Sequence, residues 1–272
     1  MFKKSIVIVM LISFSLVLAS CNTNKNSSTN NSNIVSNENM KVTESPTLEP
    51  STTKNEGNDN QKIYRASNNK TYDITKERYI EKEKDVIINY PQINNLKDSF
   101  KQEEINTILK DEALKSLKES KNGDVELIVL EIDYVVKLIS ESLLSIQYKG
   151  YANFKNAAHP YNLFFVTNVD IKKGKVIDLL ELINIDNGFI ELFRADKFKS
   201  VSPIYQNGYL DSLSNNELIE TFKIGEFYLA TDLLGISVSV PYAMGDHVEF
   251  EIKYQDIKDN IKTKNELWKD LS

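Results

Sequence analysis

Ser142–Ile177 reads SLLSIQYKGYANFKNAAHPYNLFFVTNVDIKKGKVI. In its first run Leu144, Ile146, Tyr148, Ala152 and Phe154 share one face; in its second Leu163, Phe165, Val169 and Ile171 do. A period of two marks a strand. The Ala157-Ala158-His159-Pro160 step joins the runs and Lys173-Gly174 closes the second, so the stretch reads as a hairpin. Upstream, Ile128, Leu130, Ile132, Tyr134 and Val136 alternate in the same way and add a third long strand. Short connections favour an antiparallel meander, because parallel pairing needs a crossover between strands.

Working outward, Thr75–Ile88, closed by Tyr90-Pro91, reads as one or two strands with a broken edge. Ser99 with Gln102 fits a capping box, and Ile105, Ile108, Leu109, Ala113 and Leu117 recur at helical spacing until Asn122-Gly123. Beyond Gly174 two short helices are expected around Leu179–Ile183 and Phe189–Phe198. An irregular segment follows over Val201–Leu213, and a third short helix opens on the Ser214/Glu217 capping box. Phe227 and Leu229, then Ile236, Val238 and Val240, then Val248, Phe250, Ile252 and Tyr254 alternate with polar residues, as strands with one wet face do. A terminal helix is expected from Gln255, carrying Ile257, Ile261, Leu267 and Trp268. The predicted class is α+β: an antiparallel β-sheet with packed helices, preceded by a disordered tether.

The amino terminus gives an address. Lys3 and Lys4 precede an apolar run, Ser5–Leu18, too short to span a bilayer comfortably, and Leu18-Ala19-Ser20-Cys21 follows it. This arrangement resembles the lipobox of bacterial lipoproteins, which implies a diacylglyceryl group on Cys21 and removal of residues 1–20. Cys21 is the only cysteine of the chain, so it has no disulfide partner. Residues 21–61 are rich in Asn, Ser, Thr, Glu and Pro and cannot bury enough apolar surface to offset the entropy of ordering them. As a flexible coil this tether spans roughly 35 Å. The expected location is the outer face of the cytoplasmic membrane of a Gram-positive cell, with the membrane as first partner through the lipid.

Chemistry is harder to find. With a net charge of −6 and no basic cluster, nucleic acid is not an expected partner. His159 stands in a turn between two rigid strands, where function often resides; its plain reading is a turn histidine bonded to backbone. Zinc would suit His159, Asp170 and His247, but no His-x-x-x-His and no CxxC draws ligands together, so neither metal nor cofactor is assigned. No Gly-x-Ser-x-Gly elbow or Gly-rich phosphate loop occurs, and 39 acidic residues make paired carboxylates uninformative. No catalytic residue is assigned. The aromatic set Tyr148, Tyr151, Phe154, Tyr161, Phe164 and Phe165 suits either sheet packing or stacking on a ligand.

Two resemblances accumulate on these residues. YKGYANFKNAAHPYN followed by TNVDIKKGKVIDL, within Tyr148–Leu179, resembles the extracytoplasmic domain that accompanies the catalytic domain of PdaC-type peptidoglycan deacetylases. LLGISVSVPYAMGDHVEFEIKYQDIK, Leu233–Lys258, resembles the carboxy-terminal domain of RsiV-type anti-sigma factors. They imply a PdaC-like subdomain over 62–178 and an RsiV-like subdomain over 179–272. They also mark Ala157, His159, Pro160, Asp170, Gly174, Pro241, Tyr242 and Gly245 as framework or site positions. Neither the deacetylase domain nor a sigma-binding segment is present to carry over. The expectation is a non-catalytic binding or sensing protein with lysozyme or peptidoglycan as its ligand and His159, Tyr151, Tyr161, Asp170 and Tyr242 as contacts. The rival is a wall-glycan hydrolase or deacetylase with His159 in its site.

Overall fold

A computed structural model describes residues 72–123, 125–202 and 208–271. The predicted signal peptide, Cys21 and tether lie outside these residues, as do Pro203 and Tyr205. The described chain begins with a hairpin, β1 (Asp73–Glu81) and β2 (Val86–Asn94). Two helices follow, α1 (Ser99–Ala113) and α2 (Lys115–Lys121). Then comes the meander expected from sequence: β3 (Leu127–Ile139), β4 (Leu143–Phe154) and β5 (Tyr161–Asp170), with a two-residue β6 (Lys175–Val176). The six strands form one sheet in chain order. Its pairings are antiparallel except β2 with β3, which run parallel from Val86↔Leu130 to Ile88↔Ile132 because α1 and α2 carry the chain back before β3 begins.

The second half holds α3 (Leu179–Leu182), α4 (Asn187–Arg194), β7 (Lys199–Ser200), α5 (Tyr209–Ser212) and α6 (Asn215–Lys223), then β8 (Glu226–Leu229), β9 (Leu233–Ser239) and β10 (His247–Lys253). Its strands make an antiparallel sheet ordered β7-β10-β9-β8. The Ser214/Glu217 capping box is formed as expected.

Two apolar cores result. Ile105, Leu109, Ala113 and Leu117 pack on Val86, Ile88, Leu130, Ile132, Ile146 and Tyr148 of the first sheet. The other core surrounds Phe189, Phe193, Phe198 and Phe222, with Phe250 edge-on to Phe193 at 5.3 Å and 89°. Leu138 and Leu143, though on strands of the first sheet, belong to that second core.

Three local expectations are corrected. Asp98, not Ser99, caps α1: its backbone is extended and its carboxylate accepts from Lys101 N at 3.0 Å, while Gln102 Oε1 accepts from Leu96 N. Ile128 is exposed and Leu127 buried, because an irregularity between Leu127 and Val129 shifts the register against β4. From Gln255 the chain forms turns and a short 3₁₀ helix, Glu266–Asp270, rather than an α-helix. There Lys262 N donates to Leu182 O and Asn184 N to Asn260 O, so these backbone groups serve the α3–α4 segment instead of a helical ladder. In addition, β4 is buried on both faces from Leu143 to Tyr148. Leu143, Ser145 and Gln147 are as buried as Leu144, Ile146 and Tyr148, because the second sheet lies against them.

The contact between sheets combines Leu138 and Leu143, which enter the second core, with a set of polar side chains. Leu229 N donates to Ser145 Oγ at 3.1 Å, and Asn168 Nδ2 donates to Phe227 O at 2.6 Å, so β4 and β5 complete the edge of β8. In return, Val166 N donates to Glu226 Oε2 at 3.1 Å and Asn162 N to Asp246 Oδ2 at 3.0 Å along the edge of β5 that β6 leaves uncovered. Each sheet finishes the other's hydrogen bonding.

Candidate functional site

Where β4 ends and β5 begins, the structure opens into a cleft of about 1160 Å³. Its apolar lining comes from the sheet: Leu127, Leu130, Ala152, Phe154 and Leu163. Polar groups surround it, with Ser116, Glu119 and Ser120 from α2, Asn156 from the hairpin turn, and Ser239 and Asp246 from the second sheet. Asn156 takes φ +64, a conformation Asn tolerates better than most side chains, and Ala157 N closes the turn on Phe154 O at 3.1 Å. Lys155 bridges to Glu126 at 2.8 Å and holds that carboxyl below its ordinary range, by hydrogen bond first and by charge second.

His159 follows in this turn. Its ring stacks on Tyr242, with centroids 3.2 Å apart and planes within 9°, and its Nδ1 lies 3.1 Å from Pro160 O. Tyr161 is 5.5 Å from the His159 ring and 6.0 Å from that of Phe154. Tyr242 stands in a 3₁₀ turn, Tyr242–Met244, that ends on two residues of positive φ, Gly245 and Asp246. Asp246 Oδ2 accepts from both the backbone and the side-chain nitrogen of Asn162. A hairpin turn of the first sheet is thereby tied to a turn of the second, and three half-exposed or exposed rings lie side by side, of which Tyr161 belongs to the lining of the cleft.

His159, Tyr161 and Tyr242, which are far apart in sequence, are brought together. Tyr151 and Asp170 are not among them. Tyr151 lies in a separate shallow pocket of about 420 Å³ with Ile80, Ile87, Val129 and Glu131; its hydrogen bond to the Glu131 carboxylate pushes the phenol up. Asp170 ends β5, roughly 30 Å of strand from Tyr161. It is 1% exposed, accepts from Lys173 N at 2.9 Å and pairs with Lys173 Nζ at 3.1 Å, so it closes the β5–β6 turn. The considered zinc set of His159, Asp170 and His247 is therefore not assembled; among the described residues no cluster of three or more His, Cys, Asp or Glu side chains is placed to hold a metal. Tyr148 and Phe165 stack on each other at 4.6 Å within the core.

Sequence reasoning passed over the polar layer between the sheets. Glu249, 5% exposed, accepts from Gln147 Nε2 at 2.9 Å and Lys149 Nζ at 2.6 Å, with His247 Nε2 at 3.8 Å. Burial pushes its carboxyl up, but hydrogen bonds from His247 and Lys149 outweigh that and leave it below its ordinary value. Beside it Lys137 sits 3.9 Å from the centroid of the Tyr228 ring; burial lowers its ammonium pKa, against the opposing charges of Glu251 and Glu249. In sequence, Glu249 and Glu251 occupy the polar positions of an alternating strand, a pattern that reads as solvent-facing.

No family model matches the chain, and no curated protein does. Several solved structures are similar to it, two of them as follows. One is a member of the DUF3298 family from Bacteroides fragilis NCTC 9343, with 15% identity over 71% of this chain and 94% of that one and a TM-score of 0.46. The other is a DUF3298 family protein from Pseudomonas aeruginosa PAO1, with 13% identity over 72% and 96% and a TM-score of 0.43. Among the described residues no helix is long and apolar enough to cross a membrane.

Proposed function

We propose that this chain is a lipid-anchored, non-catalytic binding protein of the cell envelope, attached through Cys21 and holding peptidoglycan in the cleft beside His159, Tyr161 and Tyr242. The observation that carries the reading is the cleft itself: an apolar lining with aromatic rings at its rim and hydroxyl, amide and carboxyl groups around it. Sugar rings present apolar C–H faces and polar edges, and such a surface matches both. The lipobox-like amino terminus and the PdaC-like and RsiV-like motifs support the envelope as its place of work. A concave site suits a chain-like ligand better than the convex surface of a folded protein such as lysozyme. The contacts of His159, a ring stack and a backbone carbonyl, fix the imidazole in place and do not activate a nucleophile.

Calorimetric titration of residues 22–272 with soluble wall fragments, and separately with lysozyme, tests this. Saturable binding of fragments that is lost in a Tyr161→Ala, Tyr242→Ala double variant is the expected result. Binding of lysozyme alone would move the ligand to a protein. Release of acetate or reducing sugar from the fragments, abolished by His159→Ala, would place the chain among wall-glycan hydrolases or deacetylases instead.

A further inference from the structure

We propose that the cleft selects amino sugars with a free ammonium group over their N-acetylated forms, and that Glu119 and Asp246 are the residues that discriminate. The inference rests on the reading of the cleft as a glycan site. The cleft is lined by three carboxylates, Glu119, Glu126 and Asp246, and one cation, Lys155. Lys155 is engaged by Glu126 at 2.8 Å, so that pair is internally neutral. Asp246 makes both of its hydrogen bonds to Asn162 through Oδ2, from an amide N–H and an amide NH₂, neither of which carries charge. Glu119, on α2, is exposed. Two carboxylates of the lining are thus left without a cationic partner within it, and the complement of such a surface is a cation with apolar faces.

The surrounding groups favour a sugar over a peptide amine. Ser116, Ser120, Ser239 and Asn156 offer short donors and acceptors in several directions around the lining, the pattern a polyhydroxylated ring can satisfy. A glucosamine unit brings an ammonium, hydroxyls and a C–H face in one ring. Its acetylated form removes the charge and adds a neutral amide, which leaves both carboxylates without a cation.

The test uses residues 22–272 and two tetrasaccharides of β-1,4-linked glucosamine, one fully N-acetylated and one fully de-N-acetylated, titrated by calorimetry at low and at moderate salt. The de-N-acetylated probe is expected to bind about tenfold more tightly, as a charge-assisted contact in a partly hydrated site would give. The preference should shrink with added salt. Glu119→Gln and Asp246→Asn, which keep size but remove the charge and turn one acceptor oxygen into an amide donor, should reduce the ratio of the two affinities to within about twofold. Equal binding of both probes by the wild type overturns this proposal and leaves the glycan reading intact. Binding of neither probe overturns both. Tight binding of a lysine-containing stem peptide with no binding of the amino-sugar probe also overturns it, by moving the ammonium from sugar to peptide.

Discussion

Gly235 shows how closely single residues are fitted here. A Cβ built on it would lie 2.0 Å from Tyr228 Cζ, because the Tyr228 ring crosses its strand partner Gly235 to give its hydroxyl to Glu251 at 2.6 Å. Gly235→Ala should therefore destabilise the fold by about 3 kcal/mol, the upper part of the range for overpacking a filled core, and lower Tm by roughly 6–12 °C; a calorimetric scan decides. Glu249 makes a second prediction. Its carboxyl is held below the ordinary value of 4.5, so its ionised form is favoured by folding. That stability is fully present above the unfolded-state pKa and is lost as pH falls through the lower folded-state value. Urea midpoints measured from pH 7 to pH 3 should fall more steeply below about 4.5 in the wild type than in Glu249→Gln. At this scale the sequence shows which residues alternate but not which faces meet. Nothing in VEFEIK distinguishes a carboxylate that faces water from one that meets Lys149 of a strand about 100 residues earlier.

Among the elements, the hairpin of β4 and β5 was the most legible, because a period of two sustained over ten residues has few competing readings. The α1 helix was legible as an element but not at its first residue. Asp98 and Ser99 are both good caps, and the choice falls to the one whose backbone is extended where the chain leaves Leu96. Asp98→Ala should cost about 1 kcal/mol, whereas Ser99→Ala should stay within about 0.5 kcal/mol; urea denaturation of the two variants separates them. The missing terminal helix has a comparable cause. Ile257, Leu267 and Trp268 are buried as their hydrophobicity demands, yet the segment follows the path that lets it bond to α3, including Trp268 Nε1 to Leu182 O. Local spacing records that such residues go inside but not which backbone they will lie along.

Across the whole molecule, two cores and two sheets are joined by Leu138 and Leu143 and by specific polar contacts. Asn168, 2% exposed, holds Phe227 O across that junction, and Asn168→Ala should cost about 2 kcal/mol by leaving the carbonyl unpaired. Trp268 reports the second core and far-ultraviolet dichroism reports both sheets. Their thermal transitions should coincide in the wild type and in the variant, since Leu138 and Leu143 are shared between the halves. The candidate cleft was legible only in part, for the same reason. His159, Tyr161 and Tyr242 stood out individually, but their meeting depends on how the second sheet is laid on the first. Glu119 and Asp246 carry no local signal at all.

The reciprocal completion of β5 and β8 also bears on what happens if the halves are ever separated. A proteolytic cut between Ile177 and Phe198 followed by dissociation would uncover two strand edges at once. Each would then present unpaired amide and carbonyl groups to any chain nearby, including another copy of itself. The hazard of such a break is self-templated fibre growth as much as the loss of a ligand.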